Sequence, residues 1–474
     1  MKKIFELVKK TVINPLFLIF LGIFLYKLFL IIDLKGSCFE PDAYQHFLDL
    51  KSVYKDFPAN LSIGLSQWHK PVYTYTFGLI VNFFQLQSLT FVQILNLILS
   101  IISSGFVYLC VLKLFSGKKK LGYLAVILYS FGWITFQSSL TAMTEPIYTV
   151  LVISAFYLVL KKKFNIASLL FGLSVLARFE GMLFVGLYFL WLVLTNIKNL
   201  KFLFIQVIWI GLPIFIWNFL GYLSSGNMLF LLNGGYTSQS VGIYGYGEIQ
   251  SLFKKIFLEE PIVLSSFILG LLLFLKRLIN RDKPRVEEQG FVLVFIFVVT
   301  SIIFQSVLWV GGLFGSAGLT RYFVGTMPFM VIGSIYGINE VFLKISNKIL
   351  LKFAWISLVV IQIGFALNLY WGFSGKPLKP VFPSEFAQAG EWIKKNVPLE
   401  TKLFYDRPEV VYFANRDYTN SFLFTHDMLN TEKGIFTWSK EWGKVVTGYT
   451  LEELEKNTGE KYKSDNQIYL FEVK

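Results

Sequence analysis

Residues 15–32 read PLFLIFLGIFLYKLFLII, and this apolar run decides the class of fold. A membrane-spanning helix needs about 20 predominantly apolar residues, so the run predicts a helix that crosses a bilayer. Lys2 and Lys3 precede the run, as in a signal peptide, but no small-residue cleavage site follows it. We therefore expect an uncleaved first helix.

The composition of the whole chain agrees with this prediction. Of its 474 residues, 55% are hydrophobic and 16% are charged, whereas soluble domains carry about 25% charged residues. The net charge of +14 comes from lysines and arginines that stand between apolar runs, as loop charges that orient membrane helices do. This distribution argues against nucleic-acid binding. Cys38 and Cys110 are predicted in a loop and in a membrane segment, so no disulfide framework is expected.

The basic clusters set the predicted topology, because lysine-rich and arginine-rich loops stay in the cytoplasm. They lie at 2–10, 113–120, 161–163, 198–201, 276–285 and 344–352. With the N-terminus inside, the apolar runs between them predict a mainly α, polytopic bundle of about eleven transmembrane helices in the plasma membrane. The spans fall near 15–32, 89–112, 121–138, 143–160, 164–178, 180–197, 202–223, 257–275, 290–310, 319–340 and 352–371.

One apolar stretch, 71–86, does not fit the alternation. If it crossed the membrane, Lys118, Lys119 and Lys120 would be forced outside, so we predict a helix at the outer interface within a first outer loop of residues 33–88. A true span at 71–86, with a twelfth helix elsewhere, is the alternative.

The chain becomes polar after Trp371, and by parity this C-terminal part is extracytoplasmic. Residues 384–396 show the pattern of an amphipathic helix. Residues 402–405 and 467–473 read as strands, with a short helix or strand at 409–413. We expect two domains: a transmembrane catalytic domain, 1–371, and a small extracytoplasmic α/β domain, 372–474.

Ionisable residues outside the basic loops map to the outer ends of the predicted helices. Each residue alone is explained by a position at the end of a helix at the membrane interface. The gathering of acidic and basic residues on one surface, however, favours a shared functional site. They are Glu40, Asp42, His69, Lys70, Glu145, Arg178, Glu180 and Arg321.

Asp42 is the leading candidate for a general base. Pro41 suits the start of a helix, which places Asp42 in the first turn, where a carboxylate either accepts a proton or simply stabilises the helix N-terminus. Glu40 beside it tunes Asp42, holds a cation or is merely solvated. Because an arginine at a helix N-terminus opposes the macrodipole, Arg321 favours anion binding, and a lipid phosphate is the obvious anion.

The other charged residues allow two interpretations each. Lys70 suits a phosphate at the headgroup level, and His69 suits a hydrogen-bond or metal network. Glu145 either caps a helix or accepts from a sugar hydroxyl, and Arg178 either binds an anion or pairs with Glu180. The three histidines of the chain lack ligand spacing, so no structural metal is predicted.

In their order along the chain, several short motifs resemble the GT-C superfamily of integral membrane glycosyltransferases. The resemblance is to the branch of protein O-mannosyltransferases and lipid A aminoarabinose transferases. The motifs are Pro41-Asp42-Ala43-Tyr44, His69-Lys70-Pro71-Val72-Tyr73-Thr74-Tyr75, Thr144-Glu145-Pro146, the stretch 172–181 (GLSVLARFEG), and Arg321-Tyr322 with Pro328.

The resemblance implies a donor sugar on a polyprenyl or dolichyl phosphate and an acidic base in the first outer loop. It places the base at Asp42 and the donor phosphate at Lys70 and Arg321. Many relatives have an Asp-Glu pair where this chain has Asp42-Ala43, so Glu40 remains an alternative base. They also have a second proline where this chain has Val72.

Together these observations predict an inverting hexosyl- or pentosyltransferase that acts at the outer membrane surface. An acceptor hydroxyl, of a lipid, glycan or protein, would attack the anomeric carbon, and polyprenyl phosphate would leave. The residues expected to bind donor phosphate are Arg321, Lys70 and Arg178; those expected to bind the substrates are His69, Glu145, Glu180 and Tyr322. No cofactor is firmly implied, and a divalent metal is compatible with the reaction but not required.

A loop rich in glycine and tyrosine, 233–247, either closes over the sugar or is a connector. The alternative to an enzyme is a transporter or flippase of lipid-linked glycans, which predicts charges at the bilayer midplane on broken helices and an internal repeat. A non-catalytic scaffold would not gather acids and bases at one face.

Overall fold

The first apolar run forms one continuous helix in the computed structural model, α1 (Pro15–Leu34). Asn14 caps it by accepting a hydrogen bond from the Leu16 N–H at 3.0 Å, and Pro15 occupies the first turn, where a missing N–H costs nothing. The helix ends at Lys35, whose φ of 50° is left-handed. The local sequence therefore fixes both ends of this span.

The structure describes residues 14–54, 70–227, 230–231, 246–280, 286–313, 316–373, 377–380, 383–416, 420–424, 428, 432–440, 443–464 and 467–473. Helices α2 to α8 are Asp42–Ser52, Pro71–Phe83, Leu89–Leu114, Lys119–Ser130, Trp133–Ser138, Glu145–Leu160 and Phe164–Ala177. Helices α9 to α15 are Gly181–Asn196, Leu200–Ser225, Ile249–Glu259, Pro261–Ile279, Val286–Val310, Met327–Phe342 and Lys348–Trp371. His69 and most of the loop 233–247, with Tyr236 and Tyr244, lie outside the described residues.

A helix lies at each of the eleven predicted spans, and the mainly α, multi-pass prediction is confirmed. Six helices in the described residues are long and apolar enough to cross a bilayer, and four shorter apolar helices accompany them. Three spans differ from their prediction. The eighth begins inside α11 and continues, after a break at Glu260, as α12. The third breaks at Phe131 and Gly132 into α5 and α6, and the tenth begins with a 3₁₀ turn, Thr320–Phe323, before α14.

The helix that follows this 3₁₀ turn is held by close packing. Helices α12 and α14 meet at glycines, since a Cβ on Gly337 would overlap the Ser266 carbonyl and one on Gly270 would overlap the Gly333 carbonyl. Ser334 in α14 also donates to the Val263 carbonyl at 2.6 Å. Small residues allow membrane helices to approach this closely. The turn that carries Arg321 therefore precedes a rigid helix.

Helix α3 is the stretch that did not fit the alternation. With 13 residues it is about 20 Å long, shorter than a hydrocarbon core of about 30 Å, although α8 with 14 residues is hardly longer. It packs against α2, and Asn82 donates to the Leu50 carbonyl at 2.7 Å. These features agree with an interfacial helix rather than a span.

The polar C-terminal region, residues 384–473, contains a small five-stranded sheet. Its strands are β1 (Leu403–Tyr405), β2 (Ser421–Leu423), β3 (Gly434–Ser439), β4 (Gly459–Ser464) and β5 (Ile468–Val473), in the order β2-β1-β3-β5-β4. Strand β1 pairs in parallel with β2 and β3, and β5 pairs antiparallel with β3 and β4. The helices are α16 (Ser384–Asn396), α17 (Pro408–Phe413), α18 (Gly443–Thr447) and α19 (Leu451–Asn457).

Several predicted elements of this region are present. The helix at 384–396, the strands at 402–405 and 467–473 and the short helix near 409–413 all form, whereas β2, β3 and β4 were not predicted. The division of the chain into two domains near residue 371 stays a prediction.

The C-terminal region packs on α2. The Tyr412 ring lies 5.2 Å from Tyr44 and 5.6 Å from Phe47, centroid to centroid, and Tyr405 donates to the Gln45 side-chain oxygen at 2.8 Å. Aromatic pairs at such distances add to the burial of apolar area. The helix that begins at Asp42 is thus held between the membrane helices and the C-terminal sheet.

Candidate active site

Three of the predicted residues form a partly buried group, which we call the Arg321 group: Glu40, Asp42 and Arg321. Arg321 Nη2 donates to Asp42 Oδ2 at 3.0 Å, and Nη1 lies 3.2 Å from Glu40 Oε2. The Asp42 side chain is 57% exposed, while those of Glu40 and Arg321 are 27% and 20% exposed. Within the described part of the chain, Arg321 Nε has no hydrogen-bond acceptor. The arginine therefore retains unused donor capacity beside an open carboxylate.

The sequence builds this group from two turns that are distant along the chain. Pro41 stands at the N-cap position of α2 with helical backbone angles, so Glu40 and Asp42 project at the start of that helix, as predicted for Asp42. Tyr44 braces this turn by donating to the Gly36 carbonyl at 3.2 Å. Arg321 comes from the 3₁₀ turn, which follows Gly318 with its positive φ of 59°.

A second group is buried, and we call it the Arg178 group: Glu145, Arg178 and Glu180 with Thr144. Arg178 Nη1 donates to Glu145 Oε1 at 2.6 Å and to Thr144 Oγ1 at 3.2 Å. Its Nη2 and Nε donate to Glu180 Oε1 at 2.7 and 3.2 Å. Every guanidinium nitrogen therefore has a partner within the group. The predicted pairing of Arg178 with Glu180 is present.

Tyr322 lies between the two groups. The guanidinium carbons of Arg178 and Arg321 lie 6.0 and 5.9 Å from the centre of its ring. A cation within about 6 Å of an aromatic face is attracted to it, so one tyrosine links both arginines. A small cleft lined by Glu40, Arg321, Glu145, Gln137, Thr141 and Met143 also joins the two groups.

Both groups lie at the same end of the helix bundle. Helix α7 begins at Glu145 and ends at Leu160, just before the basic cluster 161–163. With 16 residues it separates the two by about 24 Å at 1.5 Å per residue. The acids and bases therefore face the membrane surface opposite that cluster, the face predicted to be extracytoplasmic.

The pKa values of the two acids in the Arg321 group are shifted in opposite directions. Burial raises the pKa of Glu40; Arg321 opposes this, and the charges of Asp42 and Glu145 add to the rise. Burial also works against ionisation of Asp42, but the charge and hydrogen bond of Arg321, with help from His46, hold the pKa of Asp42 below its usual value. Separation of two neighbouring pKa values is a common sign of different acid and base roles.

Lys70 and His46 complete the charged surroundings. Lys70 precedes α3, and its charge acts on both Glu180 and His46. Burial lowers the pKa of His46, with Asp49, Asp42 and Glu145 opposing that change. The His46 ring packs 5.7 Å from that of Tyr73, centroid to centroid. Among the described residues, no three His, Cys, Asp or Glu side chains are grouped to hold a metal ion.

Sequence reasoning missed two buried ionisable residues that support the site. Lys27 in α1 is fully buried and donates to Ser139 Oγ at 2.7 Å, its Nζ 5.1 Å from the centre of the Phe136 ring. Glu260, just before α12, accepts a hydrogen bond from the Ile134 N–H at 2.8 Å. A lysine inside an apolar run, and a Glu-Pro pair at a helix start, were the signals available. Both contacts hold the turn region between α5 and α7 that leads to Glu145.

Comparison with solved structures shows the fold. No protein-family model and no curated protein matches the chain. The structure is similar to that of ArnT from Cupriavidus metallidurans, with TM-scores of 0.66 bound to undecaprenyl phosphate and 0.67 in the apo state. Each match covers 96% of this chain and 97% of ArnT, at 10% and 9% identity. This likeness shows that the chain shares the fold of ArnT over nearly its whole length, and at such identity it shows the fold alone.

Proposed function

We propose that this chain is a GT-C glycosyltransferase that takes its sugar from a polyprenyl-phosphate-linked donor. The observation that carries the proposal is the Arg321 group, in which an exposed, ionised carboxylate and a guanidinium with free donor capacity lie side by side at a membrane surface. One group can take a proton and the other can hold a phosphate. The ArnT structure with undecaprenyl phosphate supports a lipid of this kind as the ligand.

In the proposed reaction an acceptor hydroxyl approaches the donor beside Asp42. Its oxygen attacks the anomeric carbon, its proton passes to the Asp42 carboxylate, and the bond from that carbon to the phosphate oxygen breaks. The electron pair of that bond leaves with polyprenyl phosphate, and the single displacement inverts the anomeric centre. Asp42 is favoured over Glu40 as the base because its lowered pKa keeps it ionised at neutral pH.

Arg321 and Lys70 are the proposed phosphate ligands. Charge that develops on the leaving phosphate is stabilised best by donors already in place. Arg321 Nε has no hydrogen-bond acceptor among the described residues, and Nη1 contacts Glu40 Oε2 at 3.2 Å only as an ion pair. Arg178 was also expected to bind the phosphate. Its donors are taken by Glu145, Glu180 and Thr144, so we propose instead that it positions those acids and the shared Tyr322.

Glu145, Glu180 and Tyr322 remain candidates for the sugar. Glu145 Oε2 is buried without a hydrogen-bond partner in the described residues and lines the same cleft as Arg321. A buried acceptor of this kind suits a substrate hydroxyl, because leaving it unsatisfied costs about 1 to 3 kcal/mol. We propose that a hydroxyl of the donor sugar reaches Glu145 through this cleft, with the sugar ring outside it. His69, predicted beside Lys70, lies outside the described residues.

Two structural features would be expected of a transporter. Lys27 is a buried cation within a span, and the third predicted span is broken at Phe131 and Gly132. Both are internally satisfied, since Lys27 donates to Ser139 and Gln362 donates to the Phe131 carbonyl. The groups that could do chemistry lie instead at helix ends.

The decisive test is Asp42→Asn, which keeps the side-chain size but removes proton acceptance. Mass analysis of glycolipids and glycans from a deletion strain would first identify the missing product. With that donor and acceptor, Asp42→Asn should lower the transfer rate by about 10² to 10⁴, the usual contribution of a general base. Asp33→Asn, an acid at the other side of the loop near Lys379, is the matched control.

The outcomes separate the alternatives. A large loss in Asp42→Asn with an intact Asp33→Asn supports the enzyme. Wild-type transfer in both Asp42→Asn and Glu40→Gln would refute the catalytic role of this loop. Movement of the glycolipid across the membrane without formation of a new glycosidic bond would instead identify a transporter.

We also propose that the Arg321 group faces the outside, with the N-terminus in the cytoplasm and residues from about 380 outside. Cysteine labelling at positions 118 and 394 tests this orientation. Position 118 should react from the cytoplasmic side and position 394 from the outside, and labelling of position 118 from outside would overturn the orientation.

A further inference from the structure

A second, larger cleft lies at the far end of α2, between that helix, the end of α3 and the residues after α17. It has roughly 820 Å³ of empty space, partly open to solvent. No described lining residue is acidic, and the polar lining consists of Lys51, Ser52, Asn82, Gln85, Gln87, Asn415 and Arg416. Since α2 has 11 residues, this cleft lies about 15 Å along the helix from Asp42. It is therefore separate from the candidate active site.

Arg416 is the feature of this cleft that needs a ligand. The residue is 3% exposed, and its Nη2 donates to the Val397 carbonyl at 2.6 Å. Its Nε and Nη1 are buried and have no hydrogen-bond acceptor among the described residues. A buried donor without an acceptor is costly, and a cation is more costly than a neutral group. An anion in the cleft would remove that cost.

The neighbours of Arg416 reinforce this preference. Lys51 reaches Asn415 Oδ1 at 3.5 Å, so a second cation stands at the same wall. Asn415 adopts a left-handed φ of 48°, a conformation that asparagine tolerates, and it lines the cleft together with Arg416. A guanidinium and an ammonium set among carboxamides form a typical environment for a phosphate group.

The surroundings of the cleft indicate where such a phosphate could come from. The end of α3 exposes Leu79, Phe83 and Phe84, with exposed fractions of 58%, 76% and 64%. Exposed aromatic and aliphatic side chains on an interfacial helix are typical of contact with the headgroup region of a bilayer. Lipid phosphates are concentrated at that depth.

We propose that the cleft between α2, α3 and the segment 415–416 binds a phosphate group, with Arg416 and Lys51 as its cationic ligands. The source is either a membrane lipid headgroup or free phosphate. A ligand there would link the interfacial helices to the C-terminal region. This site goes beyond the proposed transferase reaction and does not depend on it.

The experiment is a lipid titration of the purified full chain, followed by native mass spectrometry. The probes are short-chain phosphatidylglycerol, phosphatidylcholine as a lipid without net charge, and inorganic phosphate as a competitor. Lys51→Ala is the main variant because Lys51 is partly exposed and its loss should leave the fold intact. Lys394→Ala, an exposed lysine of α16, removes the same charge elsewhere and is the matched control.

The wild type should bind phosphatidylglycerol more tightly than phosphatidylcholine. Lys51→Ala should weaken that binding about tenfold, the loss expected from one charge-assisted hydrogen bond, and Lys394→Ala should leave it unchanged. Asn415→Gly keeps the backbone conformation and removes the carboxamide, so it should also weaken binding. Arg416→Lys keeps the charge but loses the planar fork, and a folded variant should bind less tightly.

Competition with inorganic phosphate shows whether the bound phosphate group comes from a lipid headgroup or from free phosphate. If inorganic phosphate binds the wild type and not Lys51→Ala, while phosphatidylglycerol shows no preference, free phosphate is the ligand and the phosphate site stands. Preference for phosphatidylglycerol that Lys51→Ala removes identifies the lipid headgroup. Equal affinities of wild type, Lys51→Ala and Lys394→Ala for both probes would refute the site.

Discussion

The two arginines of the candidate active site differ in how completely they are satisfied. Arg178 is 10% exposed, and all three of its guanidinium nitrogens donate to Glu145, Glu180 or Thr144. Arg321 is 20% exposed, donates to Asp42, and has an Nε without an acceptor in the described residues. Both approach the same ring, that of Tyr322. Arg178 therefore holds the site together, whereas Arg321 is available to a ligand.

The partners of the two arginines differ in the same way. Glu145 is almost fully buried, with a side chain that is 3% exposed, whereas that of Asp42 is 57% exposed. Buried ion pairs are costly to break because each partner is left as an uncompensated charge, while exposed pairs contribute little to stability. We therefore expect substitutions of the two arginines to separate stability from ligand binding.

The largest expected effect is on stability, and Arg178→Met against Arg321→Met tests it. Arg178→Met should lower the free energy of unfolding by about 3 to 5 kcal/mol, because Glu145 and Glu180 remain buried without their cation. Arg321→Met should cost less than about 1 kcal/mol, as expected for partly exposed pairs. Reversible unfolding in detergent measures both. Equal losses in the two variants would break the comparison.

A smaller effect is expected on the binding of lipid phosphate. Arg321→Ala should weaken binding of undecaprenyl phosphate by about 10- to 100-fold, the range for lost hydrogen bonds to a charged group. Arg321→Lys should fall between it and the wild type, because lysine keeps the charge but not the two-pronged geometry. Isothermal titration of the detergent-solubilised chain gives the affinities. Unchanged affinity in Arg321→Ala would move the phosphate role to Lys70, for which Lys70→Ala is the parallel variant.

Most of the membrane fold could be predicted from the sequence, because long apolar runs and basic loops act through composition rather than through specific contacts. The break at Gly132 could not, since it lies inside a continuous apolar stretch and depends on contacts with Glu260 and Gln362. Strand β3 was missed for a related reason. All six of its residues are buried, so it lacks the alternation that reveals a strand with one exposed face.

The sequence was sufficient to predict which residues belong to the candidate site, but not which of their side chains contact each other. The positive-inside pattern was enough to bring Glu40, Asp42 and Arg321 to one face. That Arg321 lies against Asp42, 279 positions away along the chain, follows from helix packing that no local pattern encodes. The same holds for Lys27 and Ser139, which are 112 positions apart.

The smallest expected effect concerns pH and decides which acid is the base. A base works when ionised, so the transfer rate should fall as the pH drops through its pKa. With Asp42 as the base, the acid-side fall in kcat/KM should come at a lower pH than for an ordinary aspartate, because Arg321 lowers the pKa of Asp42 in the free protein. The acid-side fall in kcat should come at higher pH than that in kcat/KM. When a donor phosphate is bound to Arg321, the guanidinium stabilises the ionised form of Asp42 less.

Glu40→Gln sharpens this test. Removing the second carboxylate leaves Arg321 to Asp42 alone, so the pKa of Asp42 should fall further and the acid side of the kcat/KM profile should move to lower pH by less than about one unit. The neutral rate should stay within about threefold of the wild type. If Glu40 were the base, its raised pKa would place the fall at a higher pH than for an ordinary glutamate, and Glu40→Gln would abolish transfer across the whole profile. In Arg321→Ala the pH profiles of kcat and kcat/KM should coincide. Their separation in the wild type arises because the donor phosphate replaces Asp42 as the partner of the Arg321 guanidinium, and the variant has no guanidinium there.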